Sequence, residues 1–148
     1  MKKIIIKGLF FVAIGFFLGQ LLFGEKIELI KHLQNKDTYY FLEEGVYNNY
    51  KSIQNNANIY RKIIENKNNK YHVYIGITRD KEVLEKLKKI YKKDKINVSI
   101  KEITLESKEF KNNVEQFDLL IKQTKDTSQI LTIEEVVIAN YEEIIKKQ

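Results

Sequence analysis

Apolar and polar positions along this chain change rhythm several times, and each change marks an element. Gly8 to Gly24 carries no charge, and Ile4, Ile5 and Ile6 extend the apolar run back past Lys7. About 20 residues of helix cross the hydrocarbon core of a bilayer, so residues 4–24 are expected to form a transmembrane helix. Lys2, Lys3 and Lys7 stand before the uncharged run and Glu25 follows it. That asymmetry points residues 1–3 to the cytoplasm and the domain that follows outside, as in a single-pass protein of the cell membrane. A cleaved signal peptide is the competing reading, although Leu22, Phe23 and Gly24 match an A-x-A cleavage site poorly. Gly15 and Gly19 form a GxxxG of the kind that lets membrane helices approach closely. Residues 25–38, with Ile27, Ile30 and Leu33 in helical register, read as a juxtamembrane helix or linker.

Beyond that linker the period drops to two, and a repeat of about 31 residues emerges. Tyr40–Tyr47 can be laid over Tyr71–Thr78, and the same offset pairs Ile53 with Leu84, Ile59 with Ile90 and Tyr60 with Tyr91. Each copy is a β-prone run ending in Gly-Val or Gly-Ile, a polar turn, and a segment of helical spacing. Val83, Leu84, Leu87, Ile90 and Tyr91 form the clearer stripe, with Asp80 placed to cap that helix. The other helix spans about 49–62. Short strands follow at Ile63–Glu65 and Val98–Lys101, with a turn over Asn66–Lys70 between the halves. The order strand, helix, strand, strand, helix, strand defines an α+β fold over 39–104. Its four-stranded antiparallel sheet has both helices on one face and the other face open.

Alternation sorts the side chains of that sheet. Tyr71, Val73, Ile75 and Ile77 suit the helix-covered side, and His72, Tyr74, Gly76 and Thr78 the open one. In the first strand Leu42 and Val46 point inward, and Phe41, Glu43, Gly45 and Tyr47 outward. Glu44 falls in line with buried Ile75, so either a bulge turns it out or a lysine reaches it.

Two more amphipathic segments occupy residues 105–148. Phe110, Val114, Phe117 and Ile121 mark a helix over 108–124, and Lys125–Gln129 reads as a loop. Thr132 and Glu135 form a capping box for a helix with Ile133, Val137, Tyr141 and Ile144 on one side. These faces can pack on each other, fold back on the sheet, or meet another envelope protein through 108–145.

Composition narrows the chemistry. The 148-residue chain has no cysteine, proline or tryptophan and a net charge of +6. No disulfide or thiolate site exists, and no metal or cofactor is expected. Residues 25–103 carry 17 lysines and arginines against 11 acids, whereas 104–148 carry 6 against 9. Lys88, Lys89, Lys92, Lys93 and Lys95 cluster on one helix, either as a solvated face or as an attraction for polyanions. The histidines are His32 and His72, neither in a metal or triad motif, so no catalytic residue is assigned and the chain is read as non-enzymatic. Nucleic acid is not an expected partner, because the third strand lacks the basic-Gly-aromatic signature of RNA-recognition domains. On the open face, Phe41, Tyr47 and Tyr74 interspersed with Glu43 and His72 offer rings for sugar C–H faces and polar partners for hydroxyls. The competing reading is that these rings are ordinary cross-strand pairs.

The two stretches Leu42-Glu43-Glu44-Gly45-Val46-Tyr47 and Val73-Tyr74-Ile75-Gly76-Ile77-Thr78 resemble the paired V-Q-V-G-A-F and V-x-V-G-P-F strands of SPOR (sporulation-related repeat) domains. Both glycines, the spacing and a single N-terminal anchor agree. The resemblance, over 39–103, implies a βαββαβ fold that binds peptidoglycan glycan strands and tethers its carrier during division, sporulation or wall remodelling. It carries the ligand to Glu43, Tyr47, Tyr74 and Thr78 on the open face. Glu43 replaces the usual glutamine, and Ile77-Thr78 the usual Pro-Phe. Those departures motivate the alternative of an envelope scaffold that binds a protein and no glycan.

Overall fold

The computed structural model describes residues 38–55 and 61–146. Strand β1 (Thr38–Tyr47) leads into a short helix α1 (Tyr50–Asn55). Strands β2 (Ile63–Lys67) and β3 (Lys70–Thr78), helix α2 (Lys81–Lys93) and strand β4 (Ser99–Thr104) follow. The strands form one antiparallel sheet in the order β2-β3-β1-β4. Helices α3 (Lys108–Gln123) and α4 (Thr127–Ile145) complete one compact unit. The anticipated transmembrane segment, the anticipated juxtamembrane segment up to residue 37, and positions 56–60 lie outside the described residues, while Thr38 belongs to β1. Among those described, no helix is long and apolar enough to cross a membrane.

Local chemistry accounts for most boundaries. Asn68 and Asn69 both take positive φ, 52° and 58°, and so close the β2–β3 hairpin with a two-residue turn. Asp80 accepts from the backbone N–H groups of Glu82 and Val83 and starts α2, whose stripe of Val83, Leu84, Leu87, Ile90 and Tyr91 is buried. That helix stops where Lys95 adopts φ 61°. There Ile96 N–H reaches Tyr91 O at 2.9 Å and Lys95 N–H reaches Lys92 O at 3.1 Å, the two bonds of a Schellman ending. Ser107 caps α3 and Asp126 caps α4. The expected Thr132–Glu135 capping box is not used. The helix already begins at Thr127, and the Thr132 hydroxyl donates to Ser128 O inside it.

The β1–β3 register slips twice. Phe41 and Leu42 face Ile77 and Gly76, but Glu43 faces Tyr74 and Gly45 faces Val73. Each strand thus carries one unmatched residue, Ile75 on β3 and Glu44 on β1, and the two bulges compensate. A bulge therefore does fall at Glu44, as one of the two readings of that residue expected. The bulge at Ile75 also corrects the alternation expected for β3. A one-residue slip changes sides, so Ile77 joins Phe41 and Tyr74 instead of Tyr71 and Val73.

The largest correction concerns the open face. Helix α2 lies over the Leu42 side: a Cβ added at Gly76, opposite Leu42, would meet Leu42 Cδ1 at 3.2 Å and the Tyr91 hydroxyl at 3.4 Å. The other side is covered by α3 and α4. Tyr39, Phe41, Ile63, Tyr74 and Ile77 from the sheet share one core with Phe110, Val114, Val137, Ile138 and Tyr141 from the two tail helices. The centre of that core is aromatic. Tyr39 stacks on Phe110 at 5.3 Å, and Phe41 meets Tyr74 at 5.3 Å and Tyr141 at 5.1 Å, both edge-on. Each such pair adds about 0.5–1.5 kcal/mol to the burial of its rings. Of the three arrangements open to the tail, two occur together: α3 and α4 pack on each other and fold back on the sheet.

Phe110 is fully buried and touches both Tyr39 and Tyr141. Phe110→Ala should cost about 3–5 kcal/mol in urea unfolding. Leu119→Ala, at a position 37% exposed on the same helix, should stay within about 0.5 kcal/mol. Equal small effects would mean that the tail is not part of the core.

Candidate functional site

The six residues expected to hold a glycan do not form one surface. Phe41, Glu43, His72 and Tyr74 share the tail-covered side, because register pairs Glu43 with Tyr74 and His72 lies two residues along. Tyr47 and Thr78 are on the opposite side. Phe41 and Thr78 are fully buried, with Tyr74 2% and Glu43 3% exposed, so these four are not presented to a ligand. His72 and Tyr47 keep part of their surface. The physical reason is the tail. Phe41 and Tyr74 supply the rings on which α3 and α4 pack, and Thr78 is enclosed where β3 meets those helices.

Glu43 is the hub of the polar half of that side. His72 Nδ1 lies 2.6 Å from its Oε1, the Ser99 hydroxyl donates to its Oε2 at 2.8 Å, and Lys101 Nζ stands 3.5 Å from the same oxygen. Burial alone would push the Glu43 carboxyl up. The hydrogen bonds from His72 and Ser99, with the Lys101 ammonium, outweigh it and hold the group below its ordinary range. Ser99 donates to Glu43 and not to His72, so the three do not form a nucleophile–base–acid relay. Burial and the nearby charges of Glu65 and Glu43 push the Tyr74 phenol up to about 12.

Two further carboxyls, Asp118 of α3 and Glu134 of α4, clasp the far end of β3. Strand β2 begins opposite Tyr74, which leaves the β3 edge beyond it without a partner strand among the described residues. Glu134 Oε2 accepts from the Ile77 N–H there at 3.1 Å, while its Oε1 is buried with no hydrogen-bond partner. Asp118 accepts from the Thr78 hydroxyl at 2.6 Å and from the Arg79 N–H at 3.0 Å. Burial pushes Asp118 up to about 7, against the lowering effect of those two bonds. Burial also holds Glu134 well above the carboxylate range, and the Asp118 charge adds to it. Lys86 of α2 tightens the same corner by donating to Ile121 O and Thr124 O at the end of α3. Neither acid was singled out from the sequence. The available signal was an acid inside an apolar stripe: Asp118 lies between Val114 and Ile121, and Glu134 between Ile130 and Val137.

The end of the sheet away from that clasp is less enclosed. Tyr47 and Tyr71 are cross-strand partners, and Tyr71 meets Tyr50 edge-on at 6.0 Å. Tyr50 is 50% exposed, and Tyr47 and Tyr71 are partly exposed. The Tyr47 ring lies back over Gly45, where an added Cβ would come within 3.1 Å of it. Gly45 and Gly76 are therefore both closely approached, by the Tyr47 ring and by Leu42, Tyr91 and Glu134 respectively, and a Cβ at either would oblige those side chains to give way slightly. Neither has positive φ. Among the described residues, no group of three or more histidines and acids could hold a metal ion. Comparison with protein-family models, with curated proteins and with solved structures finds no match to this chain.

The clasp makes stability fall as pH rises. A carboxyl whose folded pKa is raised stabilises the fold fully below its unfolded value, near 3.8 for Asp118 and 4.5 for Glu134. That contribution is lost as pH rises through the folded value, for Asp118 between about pH 4 and about 7. Glu134→Gln cannot ionise. Between pH 5 and pH 8 its stability should gain at least about 1 kcal/mol on the parent, read from urea midpoints. A difference independent of pH would show that Glu134 does not titrate in this range.

Proposed function

We propose that the chain is a membrane-anchored, non-catalytic tether of the cell envelope whose sheet domain binds peptidoglycan glycan strands. The observation that supports this reading is the cluster of Tyr47, Tyr50 and Tyr71 at the less enclosed end of the sheet. Tyrosine rings there can lie against sugar C–H faces, and phenol hydroxyls and the amides of Asn48 and Asn49 can meet sugar hydroxyls. The ligand contact is thereby moved off the face on which the SPOR resemblance would put it and onto the rim beside it. Anchoring rests on the apolar run of residues 4–24 and the lysines before it.

A second reading, an envelope scaffold that holds a protein partner and no glycan, is favoured by the burial of Phe41, Glu43, Tyr74 and Thr78. Its partner surface could not be the inner faces of α3 and α4, which pack on the sheet.

Pelleting with purified sacculi separates the two. The full chain in detergent should co-sediment with sacculi stripped of stem peptides and of anionic polymers, and should stay bound in about 0.5 M salt, where charge attraction is screened. Tyr50→Ala with Tyr71→Ala should lower the bound fraction at least fivefold and leave the fold intact by circular dichroism. No pelleting above an unrelated membrane protein would remove the glycan reading.

A further inference from the structure

Charge is not spread evenly over the ends of the sheet. The chain enters at Thr38, which pairs with Thr104 at one end. Toward the other end lie the β2–β3 turn, with Lys67 opposite Lys70, and, on the opposite edge of the sheet, the start of β4, whose Ser99 faces Glu43. Helix α2, which runs back from β3 to β4, finishes there as well. Lys70, Lys89, Lys92, Lys93 and Lys95 are all exposed, and none has a carboxylate partner among the described residues. The acids of this end are already engaged: Glu65 holds Lys67 and the Tyr141 hydroxyl, and Glu43 holds His72, Ser99 and Lys101. Asp94 is the single acid between Lys86 and Lys101.

Lys95 adds an observation of a different kind. It occupies the left-handed C′ position of the Schellman ending, which glycine fills without strain and lysine does not. A dipole argument covers Lys92 and Lys93 in the last turn of α2. It does not reach Lys70 on the neighbouring strand turn, and it does not explain a lysine in a glycine slot.

We propose that this lysine-bearing end is a docking surface for a phosphodiester polymer, an extended chain of repeated single negative charges such as a polyol phosphate. An ammonium group is a compact charge with three donors and no planar geometry to match, so spaced lysines suit spaced phosphates along a flexible chain. Recognition of one phosphate on a folded partner favours the bidentate arginine fork. The two arginines of the chain are engaged elsewhere, Arg61 with Glu142 and Arg79 with Glu115. The surface adjoins the tyrosine cluster, but the inference does not rest on glycan binding.

The test uses the full chain in nanodiscs of zwitterionic phosphatidylcholine, with fluorescent poly(glycerol phosphate) as the probe. Binding should weaken at least about tenfold between 50 and 300 mM NaCl, as screening of exposed charges requires. The Lys92→Gln, Lys93→Gln, Lys95→Gln triple variant should lose about tenfold at 100 mM salt. Lys108→Gln with Lys125→Gln, on α3 and the loop after it, should change nothing. Lys95→Gly alone should weaken binding with no fall in melting temperature, so that loss of charge is read apart from loss of fold. Neutral chitooligosaccharide binding should be untouched by the triple variant. No polymer binding at 50 mM salt, an equal loss in the control pair, or binding to phosphatidylglycerol nanodiscs without binding to the polymer would each overturn the proposal.

Discussion

The aromatic contact between the tail helices and the sheet is the constraint on which the rest of this structure turns. Tyr39, Phe41 and Tyr74 present their rings on one side of the sheet, and Phe110 and Tyr141 close over them. A four-stranded sheet with two helices on one side has a second apolar side to dispose of. Here it is disposed of internally. Once that happens, every polar group drawn under the tail must find a partner, because an unpartnered one is costly in a dry interior. The Glu43 network and the Asp118–Glu134 clasp are where this requirement is met, and Glu134 Oε1 is where it is met only in part.

Division of labour along the strands follows from the same packing. The end at which the chain enters is sealed by α3, α4 and their acids. The opposite end retains exposed tyrosines and unmatched lysines. Among the described residues, that end keeps side chains in solvent, Tyr50 and the lysines at the close of α2 among them. The glycines of the two repeated strands fit this picture. Gly45 makes room for the Tyr47 ring at the exposed end, and Gly76 makes room for Leu42, Tyr91 and Glu134 at the sealed one.

Much of the fold was legible in the residues, because short-range chemistry determined it. The βαββαβ order, the Asp80 cap and the buried stripe of α2 follow from period, capping and turn residues within a few positions of one another. The two bulges were not legible beyond the anomaly at Glu44, since a bulge depends on how one strand meets another. Assigning sides by strict alternation therefore failed from Ile75 onward. The site was less legible still. Phe41 and Tyr74 look the same in sequence whether their rings meet a sugar or another helix, and the amphipathic tail gave no indication of which surface it would choose. Acids inside the apolar stripes of that tail, Asp118 and Glu134, were the available clue that both helices dock against polar backbone.

Glu134 is fully enclosed, and one of its carboxyl oxygens touches no donor. A group so placed meets solvent when α4 lifts from the sheet edge, so its titration is coupled to that opening. The hydrogen-exchange rate of the Ile77 amide, which Glu134 covers, reports the same event.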